Sequence, residues 1–399
     1  MKNTEKIDKS QAMLELLSRG VEEIIDKDNL ERKLKTGKKL RIKMGTDPTS
    51  PNIHLGRSIP LLKLRDFQKL GHKIVFIVGD FTGVIGDTSD KDSERPMLTK
   101  EIIKKNLKDY AKQAGKILDL KKCEVHYNSE WLGKLNYFNI CEQANQFSVA
   151  EFIARENIAK RLEVGKRVSL REVLYPLMQG YDSVAVKADV ELGGTDQRFN
   201  LLAGRKLQEY FKQEPQDIII GPLLEGLDGR KMSSSWGNTI NLVDSPDEMF
   251  GKTMSLKDEY IIKYLRLATR VPLSQVEEYQ KRLLAGENPR TIKVLLAKEL
   301  VTMYHSKKAA DLAEENFDKQ FRQKLTPENI PEMKFAYGKC QPIELLSSLG
   351  LTASKSEARR LLEQGGVKID NEKWTVDKIV EVKSGLIIQA GKRKFAKIK

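Results

Sequence analysis

The chain has 399 residues, of which 40% are hydrophobic and 32% are charged, and its formal net charge is +14. This composition is typical of globular proteins and excludes a membrane-spanning chain, because no apolar run approaches the roughly 20 residues of a membrane helix. The charge favours a polyanionic partner, with nucleic acid as the first expectation and solubility alone as the alternative.

The first half of the chain alternates strand and helix patterns. Four segments have the short apolar pattern of strands: residues 38–45, 73–81, 123–128 and 217–224. Apolar residues at helical spacing predict a helix after the first strand, at Leu55, Ile59, Leu62 and Phe67, and Gly71 suits its end. This order predicts an α/β catalytic domain, residues 1–226, with a Rossmann-like, doubly wound parallel sheet.

The chain between and beyond these strands is predicted to be mostly helical. Residues of about 120–190 predict a helical insertion into the sheet domain, because a helical stretch lies there between two strands. Residues 227–326 predict an all-α domain, in which Ser245 and Glu248 should form a capping box. Two prolines and a glycine within residues 326–339 predict a linker.

Residues 340–399 are predicted to form a separate, small α+β unit. They hold 12 Lys or Arg and 7 Asp or Glu residues, so the unit is basic. Within them, residues 354–370 read as a basic helix, a Gly-Gly turn and a strand. The three cysteines, Cys123, Cys141 and Cys340, lack metal-ligand spacing, and with no secretion signal at residues 1–14 they predict a cytoplasmic location.

The segment KMGTDPTSPNIHLGR, residues 43–57, leads from the first strand into the first helix of the sheet domain. Gly45 permits close approach of a ligand, and His54 stands where the helix begins. A helix N-terminus beyond the carboxyl end of a parallel strand suits phosphate, and a histidine there can donate to a phosphate oxygen. The alternative is a capped surface turn with an incidental histidine.

The segment GDFTGVIGDTSDKDSERP, residues 79–96, follows the second strand. Its glycines predict a flexible loop that could aim three charged residues, Asp87, Lys91 and Arg95. It is not a Walker loop, because no Gly-Lys-Ser/Thr closes it. The alternative is a long solvated loop.

Two further segments place polar groups in regular patterns. In LYPLMQGYD, the residues Tyr175, Gln179 and Asp182 share one face of a helix, which Pro176 should kink; the alternative is a face turned to solvent. In ELGGTDQRFN, residues 191–200, Asp196 follows the strand-end glycines Gly193 and Gly194. An acid in this position is placed to accept hydrogen bonds from ribose hydroxyls. The alternative there is a helix start capped by Thr195 or Asp196.

The hydrophilic segment GLDGRKMSSSWGN, residues 226–238, sets Lys231 ahead of three serines. Taken alone it favours a flexible linker. Taken with the other motifs, it indicates a resemblance to class I aminoacyl-tRNA synthetases. HLGR resembles their HIGH signature, and KMSSS resembles their KMSKS signature. The segments between them resemble the tyrosyl-tRNA synthetase family, and residues 354–370 resemble the small RNA-binding domain that ends its bacterial members.

The resemblance covers nearly the whole chain and implies a two-step reaction. Tyrosine and ATP would form tyrosyl-adenylate and pyrophosphate, and the tyrosyl group would then pass to tRNA(Tyr). Magnesium would arrive with ATP. The helical insertion would form a homodimer interface, and residues 227–326, as an anticodon-recognition domain, and the basic C-terminal unit would hold the tRNA.

The resemblance also implies roles for individual residues. The catalytic set would be Thr49 and His54 on the phosphates, with Lys91, Arg95 and Lys231 as mobile cations. The ATP-binding set would be Gly45, Asp47, Thr49, His54, Gly56, Arg57, Gly194, Asp196, Lys231, Met232 and Ser234. The tyrosine-binding set would be Asp87, Tyr175 and Gln179 at the ammonium group, Gln197 at the carboxylate end and Asp182 at the phenol hydroxyl.

Three residues depart from the family's pattern. Ser234 replaces the second lysine of KMSKS, and Arg57 replaces the last histidine of HIGH. Lys43 stands where many relatives have a second partner for the tyrosine hydroxyl, and we expect it to pair with Asp182. Two rival functions follow: the tryptophan enzyme, which shares the fold, and a relative that only binds structured RNA, which the loss of a lysine at Ser234 would suit.

Overall fold

The computed structural model describes residues 9–48, 50–88, 97, 99–322, 330–370, 372–391 and 394–399. Three residues predicted for the site, Thr49, Lys91 and Arg95, lie outside the described residues. The chain divides into two compact units, Met1–Ala310 and Asp311–Lys399. The finer division into three domains stays a prediction.

A six-stranded sheet forms the centre of the first unit. Its strands are β1 (Glu23–Ile25), β2 (Arg41–Thr46), β3 (Lys73–Val78), β4 (Glu124–Tyr127), β5 (Val190–Gly194) and β6 (Asp217–Gly221). They lie in the order β1-β6-β5-β2-β3-β4, and only β1 is antiparallel to its neighbour. This agrees with the predicted parallel sheet, although β1 was not predicted. Strands β2, β3, β5 and β6 are mostly buried, as expected for a parallel sheet that is covered by helices.

Eleven helices within the described residues accompany this sheet. They are α1 (Lys9–Ser18), α2 (Lys27–Lys35), α3 (Leu55–Lys69), α4 (Thr82–Ile85), α5 (Lys100–Ala114), α6 (Ser129–Leu132), α7 (Tyr137–Ala144), α8 (Val149–Ile153), α9 (Glu156–Glu163), α10 (Leu170–Val186) and α11 (Arg198–Tyr210). Helix α3 buries the four apolar residues that predicted it and is followed by Gly71 at a φ of 90°. Helices α6–α9 lie between β4 and β5, within the predicted insertion.

Helix α10 is central to the site and runs without a break through Pro176 and Gly180. Gly180 is required by close packing, because a Cβ there would lie 3.1 Å from the backbone of Ala203 on α11. The two helices therefore approach closely, which fixes the face of α10 that carries the predicted polar residues.

The first unit ends in a helical segment, as predicted. Its helices are α12 (Pro246–Met254), α13 (Ile261–Ala268), α14 (Leu273–Leu284) and α15 (Pro289–Tyr304), and α16 (Lys307–Arg322) follows. Ser245 caps α12 by accepting from the Glu248 N–H group. The Glu248 side chain does not complete the predicted capping box, because its carboxylate pairs with Lys252 at 2.8 Å.

The second unit is a small α+β structure. Its helices and strands are β7 (Glu332–Met333), β8 (Gly338–Cys340), α17 (Pro342–Ser348), α18 (Lys355–Glu363), β9 (Val367–Ile369), β10 (Glu372–Lys373), β11 (Val380–Val382), β12 (Ile387–Ala390) and β13 (Lys394–Ile398). Strand β7 and the first two residues of β8 fall within residues 326–339, so the linker prediction is wrong there: β7 pairs with β13 and β8 with β11. No helix among the described residues is long and apolar enough to cross a membrane.

Candidate active site

A cavity of about 730 Å³ opens at the carboxyl ends of β2, β3, β5 and β6 in the first unit. Ligands of open parallel sheets bind at this edge. Every described residue that was predicted for the site lines this one cavity: Gly45, Asp47, His54, Gly56, Arg57, Asp87, Tyr175, Gln179, Asp182, Gly194, Asp196, Gln197, Lys231, Met232 and Ser234. The structure thus brings the set together, while the role of each residue stays a prediction.

His54 is the N-cap of α3 and is fixed in one tautomer. Its Nδ1 atom accepts from the Arg57 N–H group at 3.3 Å, so the ring proton is on Nε2. Burial, and then the charges of Arg57 and Lys231, lower the pKa of His54 to about 3. The imidazole is therefore neutral near pH 7 and offers one N–H donor at a helix N-terminus, an arrangement that suits a phosphate oxygen.

The segment with Lys231 packs directly on the start of α3. Met232 is buried, and its sulfur accepts from the Gly56 N–H group at 3.4 Å. Lys231 Nζ lies 3.1 Å from Asp196 Oδ2, at the end of β5. The described segment is thus a packed part of the cavity wall and not the flexible linker of the alternative interpretation. Asp196 faces this lysine and does not cap the helix that follows.

A buried network connects Asp47 to α10. The Tyr175 hydroxyl donates to Asp47 Oδ2 at 2.8 Å, and the Thr82 hydroxyl donates to Asp47 Oδ1 at 2.7 Å. Burial, followed by the carboxylates of Asp47 and Asp87, raises the pKa of Tyr175 well above its usual value. Tyr175 therefore remains a donor, and Gly79 leaves the room that the network needs, because a Cβ there would overlap the Asp47 carboxylate.

Asp182 is buried at the far end of the same helix face. Its Oδ1 accepts from Trp131 Nε1 at 2.7 Å, and its Oδ2 accepts from Asn128 Nδ2 at 3.3 Å. Burial raises the pKa of the Asp182 carboxyl to about 7, and the charge of Lys43 opposes that rise. The interpretation of this helix face as turned to solvent is therefore wrong. Asn128 and Trp131 were not predicted for the site, although Asn128 ends a predicted strand segment and Trp131 lies three residues after it.

A second polar group lies between Asp87 and α10. Gln197 Nε2 donates to Asp87 Oδ2 at 2.7 Å. Asn200 Nδ2 lies 3.0 Å from both Gln197 Oε1 and Gln179 Oε1. Asn200 thus connects Gln197 with Gln179, and through Gln197 with Asp87, although the sequence analysis did not single it out.

Lys43 does not pair with Asp182, so that expectation is wrong. Its ammonium group lies 2.8 Å from Glu191 Oε1, and both side chains are buried, with exposed fractions of 0% and 1%. The reason is register: Lys43 on β2 and Glu191 on β5 are directly opposite each other in the parallel ladder. Register between strands far apart in sequence is not visible in a motif.

The comparison with known proteins follows this geometry. Residues 35–322 match the family described as tRNA synthetases class I (W and Y), which is more than half of the chain. The chain belongs to this class I tRNA synthetase family. Residues 344–385, in the second unit, match the S4 domain.

Individual members of the class I family agree with the match. The chain is 48% identical to a tyrosine–tRNA ligase of Moorella thermoacetica, over 96% of this chain and 95% of that protein. It is 46% identical to tyrosine–tRNA ligase 2 of Vibrio cholerae, over 97% and 98% of the two chains. The crystal structure of an Archaeoglobus fulgidus tyrosyl-tRNA synthetase shares the fold at a TM-score of 0.61 and 24% identity, over 77% of this chain and 99% of that one.

One departure from the family's signatures changes the charge of the Lys231 segment. Ser234 lines the cavity in a short 3-10 turn, Ser234–Trp236, and brings no charge. Arg230 is nearby, but its guanidinium stacks on Trp236 at 4.6 Å and pairs with Asp228 at 2.5 Å. Among the described residues of this segment, Lys231 is therefore the cation that lines the cavity.

Proposed function

We propose that this class I synthetase is a tyrosine–tRNA ligase. The observation that carries the proposal is Asp182, a buried carboxylate at the wall of a cavity that His54 and Lys231 also line. A buried acceptor that already takes N–H donors from Asn128 and Trp131 has lone pairs left for one further donor. A phenol hydroxyl supplies such a donor, and the named relatives support the same choice.

The first step needs no general base from the protein. An oxygen of the tyrosine carboxylate attacks the α-phosphorus of ATP, a P–O bond forms, and the bond to the departing pyrophosphate breaks. The chain contributes position and charge: His54 Nε2–H and Lys231 are the donors on the phosphate side, and Asp196 is placed for the ribose. Lys231 must leave Asp196 when nucleotide binds, because the same two groups serve different parts of ATP.

The second step transfers the tyrosyl group to a ribose hydroxyl of tRNA(Tyr), and the basic second unit supports a role in holding that RNA. Magnesium fits as a companion of ATP, whose phosphates supply oxygen ligands. Among the described residues, no three His, Cys, Asp or Glu side chains gather to form a metal site.

The test is exchange of labelled pyrophosphate into ATP, dependent on an added amino acid. Tyrosine alone should drive it. Exchange driven by tryptophan would favour the tryptophan enzyme instead. If neither tyrosine nor tryptophan drives exchange but the chain still binds structured RNA, the non-catalytic relative is favoured.

Removal of residues 330–399, which hold β7 to β13 of the second unit, should separate the two steps. A chain that ends at residue 329 should keep pyrophosphate exchange within about twofold of the parent, because the cavity lies wholly in the first unit. Charging of tRNA(Tyr) should fall by about tenfold or more, since basic phosphate contacts are lost. Comparable losses in both assays would show that the second unit supports the first unit's fold instead.

We also propose that the chain is a homodimer through the helical insertion. Large apolar side chains are exposed there, at Tyr137, Phe138, Val149, Leu162, Val164 and Leu170. Several large, exposed apolar side chains in one segment are typical of a protein–protein interface. Sedimentation equilibrium should give twice the chain mass of 45.4 kDa.

A charge among these side chains should disrupt the dimer. Phe138→Asp is expected to raise the dimer dissociation constant by about 100-fold or more, because an aspartate would be desolvated in the interface. Leu284→Asp, at a residue that is 81% exposed on α14, is the matched control and should leave the mass unchanged. A monomeric parent chain, or a dimeric Phe138→Asp variant, would contradict this interface.

A further inference from the structure

A buried ion pair lies directly beneath α10, outside the cavity lining. Lys43 Nζ makes three contacts, to Glu191 Oε1 at 2.8 Å, Ser183 Oγ at 2.7 Å and the Gln179 carbonyl oxygen at 3.0 Å. These equal the three N–H donors of an ammonium group. Glu191 Oε2 in turn accepts from the Ser183 hydroxyl at 3.0 Å and from the Gln216 amide. Every hydrogen-bonding group of the pair is therefore satisfied.

Two of the Lys43 contacts bracket Asp182 on α10. Gln179 is three residues before Asp182 and Ser183 is the residue after it, so the ammonium group holds the turn of helix that carries this carboxylate. An ion pair as deeply buried as this one contributes little to stability compared with an apolar pair of the same shape. The desolvation of two buried charges is more easily explained if the ion pair acts on the neighbouring site.

We propose that Lys43 and Glu191 are positioning residues that set the place and the charge state of Asp182, and through it the affinity for the substrate's hydroxyl group. This inference rests on the proposed function, since it takes tyrosine as the ligand of Asp182. Neither residue touches the substrate, because neither lines the cavity.

The two residues act on Asp182 in opposite directions. The positive charge of Lys43 lowers the pKa of Asp182, and the negative charge of Glu191 raises it. Tyr175, on α10 itself, is a further titratable group that interacts electrostatically with Asp182. The donors from the β4 side, Asn128 and Trp131, are neutral. The ionised Asp182 carboxylate is a stronger acceptor for a phenol hydroxyl than the protonated acid. Tyrosine binding should therefore weaken as pH falls through the Asp182 pKa.

The experiment measures KM for tyrosine and for ATP by pyrophosphate exchange between pH 5.5 and 8.5 in the full-length chain. Lys43→Met should raise KM for tyrosine about tenfold near pH 7, move the pH midpoint up by about one unit and leave KM for ATP within about twofold. Glu191→Gln, which is nearly isosteric, should move the midpoint down. Lys33→Met, which removes a buried lysine from Asp217 away from the cavity, is the matched control and should change neither KM nor midpoint.

The opposite signs separate a charge effect from simple damage. A purely structural role would shift both variants in the same direction or change KM for ATP equally, and either result overturns the inference. An unchanged KM for tyrosine in Lys43→Met also overturns it. If Lys43→Met does not fold, the downward shift in Glu191→Gln decides alone. A parent chain that shows no tyrosine-dependent exchange overturns the proposed function itself, and that outcome is recognised before any variant is made.

Discussion

Asp182→Ala is expected to lower kcat/KM for tyrosine by about 100-fold, because a charge-assisted hydrogen bond of up to about 3 kcal/mol is lost. The kcat/KM for phenylalanine should rise, because phenylalanine has no hydroxyl group. When it binds to the parent, the buried Asp182 carboxylate is left without that donor. The ratio of the two kcat/KM values should therefore fall by more than the loss for tyrosine alone.

Pyrophosphate exchange with each amino acid measures this ratio. Asp80→Ala is the matched control, because Asp80 accepts from Ser129 at the start of α6 and does not line the cavity. The control should keep the parent's ratio. An Asp182→Ala variant that still rejects phenylalanine as strongly as the parent would show that the hydroxyl group binds elsewhere.

Lys231→Ala is expected to lower kcat for pyrophosphate exchange by about 100- to 1000-fold, the usual cost of removing one donor from a developing negative charge. The loss should be large here because Ser234 brings no second cation to the segment and Arg230 is held by Trp236 and Asp228. KM for tyrosine should change little, since Lys231 lies on the nucleotide side, near Asp196.

Lys257→Ala is the control for this effect, because Lys257 is an exposed lysine outside the cavity. Ser234→Lys is the reciprocal variant and should raise kcat or reduce KM for ATP. Steady-state exchange at saturating tyrosine measures both changes. A fall in kcat of less than about threefold in Lys231→Ala would place the phosphate-stabilising charge on other residues.

Much of the fold followed from local patterns. The strands β2, β3, β4 and β6, the helix α3 and the helix–turn–strand of residues 354–370 were visible because apolar periodicity and glycine turns are local signals. Strand β1 was missed since it has only three residues, all of them half-buried. Strands β7 and β8 were missed because their formation depends on partners about 65 and 40 residues away, β13 and β11, rather than on the prolines beside them.

The site divides in the same way. Its cavity-lining residues lie in contiguous motifs, and the structure brings every described one of them together. The residues behind the lining were missed: Asn128 and Trp131 reach Asp182 from a segment about 50 residues away in sequence. Lys43 was assigned the wrong partner, because strand register and not motif spacing decides that it faces Glu191.

The most direct measurement is a crystal structure with tyrosine and a non-hydrolysable ATP analogue bound. The phenol oxygen should lie within hydrogen-bonding distance of an Asp182 carboxylate oxygen, and phosphate oxygens should lie within reach of His54 Nε2 and Lys231 Nζ. A tyrosine ring directed away from Asp182, or phosphates bound far from the start of α3, would contradict the proposed function.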